Sequence, residues 1–538
     1  MREEPPAALL EQVHLGERGS FIRDRRLVGP HQAEHDHQAA AEEQGVKAER
    51  ATPGARNSAL DPRRRTARRD GGRAGEKGHL AMVGIAWAAL SHRRRVRPPI
   101  ALSSRGRVPM ESVMVNAPTP TVRPAQVSAH RHDAPATRVA RALCLLVATI
   151  PLAVGWVLWA APGAADDYNR RVTFAPFDFV VIAMLAFWIR GFVGTRIARP
   201  SRSVGSLLAV AFVLVYLVSF SAHPSWRGLD YALRLMGGVA IADLVRRLDV
   251  DALRRLCTTL TAVGAVESLL AIAQSVRGQG FALYPFDQAG PLFAFGDTHA
   301  GRGGLSHPYH LAVFLLLSAF AAIVGGRHSE HIERRVWMIA IALIGAGLAV
   351  TFSRSVVLAL APTTVVWCMA HRENIGRAVR PLMAALLISL IATGAIFASG
   401  WTTRAQQSTN TSADRGRVAL AQAGLRLAAD APFTGVGPAR YVIALAEPGA
   451  PDGELLPSHN LVVQAAAELG VFGAVIVGAL ALWFARRLTR RGALVIGGAW
   501  LLVPFVLLDS YPYVFPTGLA IASLWIGLVG HRDMRSLT

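Results

Sequence analysis

The sequence predicts an all-α membrane protein, a polytopic helix bundle with about twelve transmembrane helices and a long outer loop between the ninth and tenth. Three observations carry the prediction. Hydrophobic residues make up 52% of the 538 residues, and many lie in apolar runs of about 17 to 25 residues, the length that crosses a bilayer as helix. From Val139 onward, short polar connections separate these runs. Arginine gathers in alternate connections, as the positive-inside bias requires of a chain that weaves through a membrane.

The formal net charge is +21 and almost wholly arginine, with Lys47 and Lys77 the only lysines. Because the basic residues fall at helix ends, where cationic flanks fix orientation, the charge needs no nucleic-acid partner. Cys144, Cys257 and Cys368 sit in or beside apolar runs without paired spacing, and so read as small core residues with no disulfide or metal framework.

Residues 1–137 are a different kind of sequence, with arginine clusters such as Arg63-Arg64-Arg65 and no sustained apolar period. The expectation is a disordered basic extension. His31, His35 and His37 could suggest a metal, but flexible surroundings and no supporting carboxylate geometry make this a chance grouping. Met110 or Met114 is a reasonable true start, which would make the upstream part a mistranslated extension. Residues 138–530 form the predicted transmembrane domain, 400–458 its outer loop and 531–538 a cytoplasmic tail.

The apolar runs, in order, begin with Val139 to Ala161, Phe174 to Ile189, Val204 to Ala222, and Leu229 to Val245. Leu256 to Val276, Tyr309 to Val324, Val336 to Phe352 and Ser355 to Ala370 follow. The last four are Val379 to Ser399, Asn460 to Ala485, Ala493 to Leu508 and Val514 to Gly530. Arginine-rich connections such as Arg196 to Arg202, Arg246 to Arg255 and Arg486 to Arg491 are cytoplasmic by charge bias, which puts both termini inside and the 400–458 loop outside. Ala160-Ala161-Pro162-Gly163-Ala164-Ala165 looks like a signal-peptidase site behind the first run, and cleavage there would leave eleven spans. In the outer loop, Val418, Ala421, Leu425 and Ala428 recur at helical spacing and predict an amphipathic helix from near Ala413 to before Pro432. Gly435-Val436-Gly437-Pro438 then reads as a tight turn.

Three arginines stand out as falling on the outer side, where the charge bias disfavours them: Arg302, Arg354 and Arg417. Arg302 lies among glycines that let backbone approach a bulky group, and Arg354 sits in a turn between two apolar runs, where its planar fork suits phosphate oxygens. Arg354 has an alternative role as a snorkelling or ion-paired helix residue. Ionisable groups within apolar runs include Asp178, Arg234, Asp243, Glu267 and Asp509; Arg234 can pair with a carboxylate of a neighbouring helix, and Glu267 has Gln274 seven residues on. His459, in Pro457-Ser458-His459-Asn460, stands at the lip of an apolar run carrying Glu468-Leu469-Gly470, where a polar loop could shelter proton transfer. Asp249-Val250-Asp251 has the Asp-x-Asp pattern of metal-dependent sugar-nucleotide transferases but reads as a solvated helix connection. No P-loop, zinc-protease helix or nucleophile elbow is present.

Three stretches together resemble the O-antigen ligase and polymerase superfamily of bacterial membrane glycosyltransferases. They are Arg302-Gly303-Gly304-Leu305-Ser306-His307-Pro308; Thr351-Phe352-Ser353-Arg354-Ser355; and Arg417 with Pro432-Phe433-Thr434-Gly435-Val436-Gly437, Ser458-His459-Asn460 and Glu468-Leu469-Gly470. The similarity covers about Val139 to Gly530 and is ligase-like in spacing and loop position. It departs at Tyr309, where the family usually has Asn after the proline. The resemblance implies an enzyme of the plasma (inner) membrane, working on its outer face. It would move a glycan from a polyprenyl (undecaprenyl) diphosphate carrier to a hydroxyl of a lipid, protein or wall-polymer acceptor, with inversion and without metal or cofactor. Arg302 and Arg354 would hold the diphosphate, Arg417 would contact the glycan or brace the loop, and His459 would be the base, with Asn460 and Glu468 in support. A polymerase of lipid-linked repeats could use the same residues. From other classes, a twelve-helix secondary transporter would be expected to show two similar halves, and no such repeat is found; a structural subunit would leave His459 replaceable.

Overall fold

The computed structural model describes residues 134–531 apart from 153–154, 162–169, 195–203, 284–290, 328–329, 370–378, 410–411, 448–454, 489–492 and 508–510. Most of the extension, with His31, His35, His37, Met110 and Met114, lies outside the described residues, as do Asp509 and the last seven residues.

The first run is not one helix. Helix α1 (Ala134–Thr149) stops ahead of Pro151, and Trp156–Ala160 forms strand β1, paired antiparallel with β2 (Arg171–Phe174). Proline lacks the N–H that the next helical rung needs, so an apolar run interrupted by Pro151 ends early. The would-be cleavage motif leaves the described residues after Ala161. Helices α2 (Pro176–Gly194), α3 (Val204–Ala222), α4 (Trp226–Arg246) and α5 (Val250–Arg277) then follow the next four runs. Asp249 caps α5 by accepting from the Ala252 N–H at 2.7 Å, which explains one carboxylate of the Asp-x-Asp pattern.

Beyond two short strands, β3 (Ala294–Phe295) and β4 (Thr298–His299), come α6 (Pro308–Gly326), α7 (His331–Val350), α8 (Arg354–Met369) and α9 (Val379–Ile396). Helix α6 is the centre of the bundle: its residues from Leu311 to Gly326 are all buried. It packs against α5 and α7; Gly264 of α5 faces Ser318 of α6, and Gly347 of α7 faces Ser268 of α5, small-residue contacts that let helices approach closely in lipid. Helix α3 instead leaves Leu207, Val210, Leu214, Leu217 and Val218 exposed, an apolar surface suited to acyl chains.

The loop contains α10 (Ala398–Thr409), α11 (Ser412–Asp430) and the short α12 (Tyr441–Leu445). The helix expected from near Ala413 is thus α11, but its inward face differs from the expected one: Val418 and Leu425 are exposed, and Leu420, Ala423 and Leu427 are buried against Tyr441, Leu445 and Ala467. After the loop come α13 (Leu461–Leu488), α14 (Ala493–Trp500), α15 (Val503–Leu507), α16 (Tyr511–Val514) and α17 (Pro516–Gly530). The eleventh run is therefore split into α14 and α15, and the twelfth is preceded by a separate turn of helix.

Five helices, α3, α5, α6, α9 and α13, are long and apolar enough to cross a membrane, and three shorter apolar helices accompany them among the described residues. This gives a mostly helical, multi-pass protein; the twelve predicted spans do not reappear as twelve uninterrupted helices.

Candidate functional site

The glycine-rich segment at Arg302 is held by the two polar residues of α5 that lie two turns apart on one face. Gln274 Oε1 accepts from the Arg302 and Gly303 N–H groups at 3.0 and 2.9 Å, while its Nε2 donates to the Gly303 carbonyl at 2.8 Å. Glu267 Oε2 accepts from the Gly304 N–H at 2.6 Å. Backbone groups buried away from water need such partners, so Glu267 and Gln274 shape the segment that carries Arg302, itself 6% exposed. The Gly301 N–H donates to the Val350 carbonyl at 3.0 Å, which sets this segment beside the turn Thr351-Phe352-Ser353. Arg354, half-buried, is the first residue of α8. Arg302 and Arg354, expected to act together, therefore stand on adjoining turns.

A second junction is built around Glu468. Its carboxyl accepts from Gln464 Nε2 at 2.6 Å, the Ala439 N–H at 2.9 Å, the Tyr513 hydroxyl at 3.0 Å and the Tyr441 N–H at 3.4 Å. Two residues on, Gly470 has φ 72 and breaks α13. In an unbroken helix the Val471 N–H would donate to the Ala467 carbonyl. Here it donates to Pro432, and Ala467 accepts from Val436, each at 2.8 Å. The Glu468 carbonyl accepts from the Gly437 N–H at 3.1 Å and from Ser219 Oγ at 2.8 Å. Residues Pro432 to Gly437 thus replace the missing rungs, so Pro432–Gly437 and Glu468–Gly470 of the third stretch are halves of one joint. The tenth run, long and apolar enough to cross a membrane, is therefore kinked at Gly470.

The same network reaches His459. Gln464, oriented by Glu468, accepts from the Ser458 N–H at 2.9 Å, and Asn460 Oδ1 caps α13 by accepting from Val462 and Val463 at 2.9 and 3.1 Å. The peptides on either side of His459 are therefore anchored. Burial, with the Glu468 carboxyl next in weight, raises the Tyr441 phenol above its ordinary value. It stays a neutral donor to the Leu420 carbonyl, which holds α11 on the joint. Arg417 lies exposed on α11, three residues before the buried face begins.

Two widely separated stretches, one at His310 and one from Asn460 to Glu468, meet the end of α15 and α16. Asn460 Nδ2 donates to the Leu507 carbonyl at 3.4 Å. The Tyr511 ring stacks on His310 with centroids 3.8 Å apart, and Tyr513 holds Glu468. His310 in turn has its Nδ1 2.9 Å from Ser306 Oγ, and His307 caps α6 by accepting from the Tyr309 N–H at 3.0 Å. Tyr309, the departure from the family pattern, packs on Phe505 and Tyr511 at 5.0 and 6.2 Å.

Sequence reasoning missed Gln464, His310, Tyr511 and Tyr513. Gln464 carried a signal, because it is the polar residue one helical turn before Glu468 in an apolar run. It also missed Arg171 and Arg227. Together with Arg234, Tyr231, Gln464 and Glu468, these line a recess beside the joint. The charge bias that singled out Arg302 applies equally to them. Arg234 is structural, held by Asp178 at 2.6 Å and by Asp230 at 2.8 Å.

Replacing Glu468 with glutamine is expected to destabilise the protein by about 1–3 kcal/mol, because an amide cannot accept from all four donors and leaves at least one buried group without a partner. A lower melting midpoint of the purified variant, followed by tryptophan fluorescence, checks this.

The fold and site define a class: a multi-pass membrane protein in which a polar loop completes a broken helix at one end of the bundle. Residues 339–478 match the family model described as O-antigen ligase. The matched stretch is similar to that family and contains Arg354, the loop, His459 and Glu468, with Arg302 lying ahead of it. No curated protein and no solved structure matches the chain.

Proposed function

We propose that the chain transfers a glycan from a polyprenyl diphosphate to an acceptor hydroxyl at the outer face of the membrane, in the manner of a ligase. The observation that carries this reading is the convergence just described: the Arg302 turn adjoins the Arg354 turn, Asn460 bonds the Leu507 carbonyl, and His310, two residues past the Arg302 motif, stacks on Tyr511. The acceptor oxygen attacks the anomeric carbon and its proton passes to His459. The bond from that carbon to the diphosphate oxygen breaks with inversion, and the diphosphate leaves on its polyprenyl chain. Arg302 and Arg354 stabilise the charge that develops on the leaving group, which is where fixed cations lower such a barrier most. Neither step calls for a metal.

In detergent, with a polyprenyl-diphosphate glycan, an acceptor and EDTA, the wild-type protein is expected to form product. Arg302→Ala and Arg354→Ala are each expected to reduce the rate about 10²-fold or more, the usual cost of removing one preorganised donor to a developing anion. Undiminished transfer by both variants would refute the assignment of the diphosphate site. A polymerase would use the same donor chemistry, and replacing the acceptor by a second lipid-linked repeat in this assay separates the two.

A further inference from the structure

We infer that Ser353 is a further donor-binding residue: its hydroxyl, at the head of α8 beside Arg354, donates to an oxygen of the prenyl-linked diphosphate. The identity of that ligand rests on the transfer reading. Ser353 is 7% exposed, and its Oγ has no hydrogen-bond partner among the described residues. A buried hydroxyl left unbonded is costly. Its position makes the lack of a partner more unusual, because Ser353 immediately precedes α8, where a serine ordinarily caps the helix by accepting from an N–H two or three residues on. Here the Val356 N–H is taken by the Ser353 main-chain carbonyl at 3.1 Å, and the Ser353 N–H donates to Thr351 Oγ1 at 3.3 Å. The hydroxyl is therefore left over at the mouth of a 16-residue helix. The first N–H groups of such a helix have no carbonyl within it to bond, and they carry the positive end of its dipole. Arg354, next in the chain and half-buried, forms no ion pair among the described residues. Hydroxyl, helix terminus and guanidinium all favour one kind of occupant, an anion with several oxygens.

The turn that delivers Ser353 is strained and braced by the outer loop. Phe352 has φ 50, a left-handed conformation that a bulky residue rarely adopts. Its side chain is buried, and its ring centroid lies 5.4 Å from that of Phe295, 5.6 Å from Trp401 and 6.5 Å from Phe397. Gly400 of α10 closes over the ring, since a Cβ there would fall 2.7 Å from it. Burial of the ring offsets the strain and fixes the peptide that leads into Ser353. Strain held in place by packing is characteristic of ligand clamps. The Val350 carbonyl accepts from the Gly301 N–H at 3.0 Å, so a phosphate at the head of α8 would lie beside the segment that carries Arg302. An unbonded hydroxyl and a strained turn both lower the stability of the free protein; a ligand that brings an oxygen acceptor to Ser353 recovers part of that loss on binding.

The test sets stability against binding. The full chain in phosphatidylcholine nanodiscs is titrated calorimetrically with farnesyl diphosphate, against empty nanodiscs as the blank and inorganic phosphate as the control for a small free anion. The wild type is expected to bind farnesyl diphosphate and to prefer it clearly over inorganic phosphate. Ser353→Ala is expected to weaken that binding about tenfold or more, the effect of losing one hydrogen bond to a charged group. Without ligand, the same variant is expected to melt at or above the wild-type midpoint, because an unbonded buried hydroxyl has been removed. Ser353→Thr keeps a hydroxyl and is expected to recover most of the affinity. A helix cap behaves in the opposite way, so a lowered midpoint in Ser353→Ala would mean that the hydroxyl has a partner in the free protein and would overturn the proposal. Unchanged affinity in Ser353→Ala would overturn it too, as would a wild type that binds inorganic phosphate as tightly as farnesyl diphosphate, or that binds neither in the presence of phosphatidylcholine headgroups. No glycan and no acceptor are present. If the wild type transfers glycan but Ser353→Ala binds normally, only the role of Ser353 falls; if binding behaves as expected and transfer fails, the diphosphate seat stands without the reaction.

Discussion

Replacing His459 with alanine is expected to slow glycan transfer about 10²- to 10⁴-fold, the usual contribution of a positioned general base, while the protein keeps its wild-type melting midpoint. The two halves of that expectation rest on different bonds. The backbone around residue 459 is fixed without the imidazole, because Ser458 donates to Gln464 and Asn460 caps α13 with its own side chain. The variant thus retains the turn and loses the proton acceptor. His459→Gln sharpens the test, since glutamine can hydrogen-bond a hydroxyl but cannot take its proton at neutral pH. It should be as slow as the alanine variant. Transfer by His459→Gln within a few-fold of wild type would mean that the histidine orients the acceptor and that the base lies elsewhere.

The candidate residues were more legible in the sequence than the framework that holds them. Runs of apolar residues give helices almost directly where nothing interrupts them: α3 has the same bounds as its run, Val204 to Ala222. Hydropathy averages over a window, so single-residue interruptions vanish from it. Pro151 ends α1 early, Gly470 breaks α13, and the eleventh run divides after Trp500, yet each of these runs looks continuous in composition. The arginines and His459 could be picked out because cations and an interfacial imidazole are conspicuous against an apolar background. Tyr513 could not, since a tyrosine near a helix end is common, and Gln464 gave only the signal of its spacing from Glu468. Their importance arises only from the Glu468 carboxyl, which lies between them in the folded chain. Glu267 and Gln274 fall in between: their seven-residue spacing was visible, but that they bind the Arg302 segment depends on which loop returns to α5.

The largest loss of stability is expected at the joint, from Gly435→Val, with Gly470→Val close behind. Gly435 has φ 64, and an added Cβ would fall 2.3 Å from the Glu468 carbonyl carbon and 2.6 Å from the Ala467 oxygen. Gly470, with φ 72, would place a Cβ 2.7 Å from the backbone of Phe433. In both cases the obstacle is main chain, which cannot swing aside as a flexible side chain can. A left-handed conformation alone costs about 1–2 kcal/mol for a residue with a Cβ, and a β-branched one is worse placed still. Separating the two strands of backbone would add the exposed donors and acceptors of the Pro432–Gly437 contacts, at about 1–3 kcal/mol for each buried group left without a partner. The expected result is a variant that loses the joint, reported by a strongly lowered melting midpoint and by protease cleavage between α11 and α13. Gly478→Ala is the control. It lies in the same helix with nothing within 4 Å of its added Cβ, and helix propensity favours alanine over glycine there by up to about 1 kcal/mol. If Gly435→Val melts with Gly478→Ala, the loop does not complete α13. If only the first falls, and transfer is lost with it, the broken helix is the frame on which His459 is held.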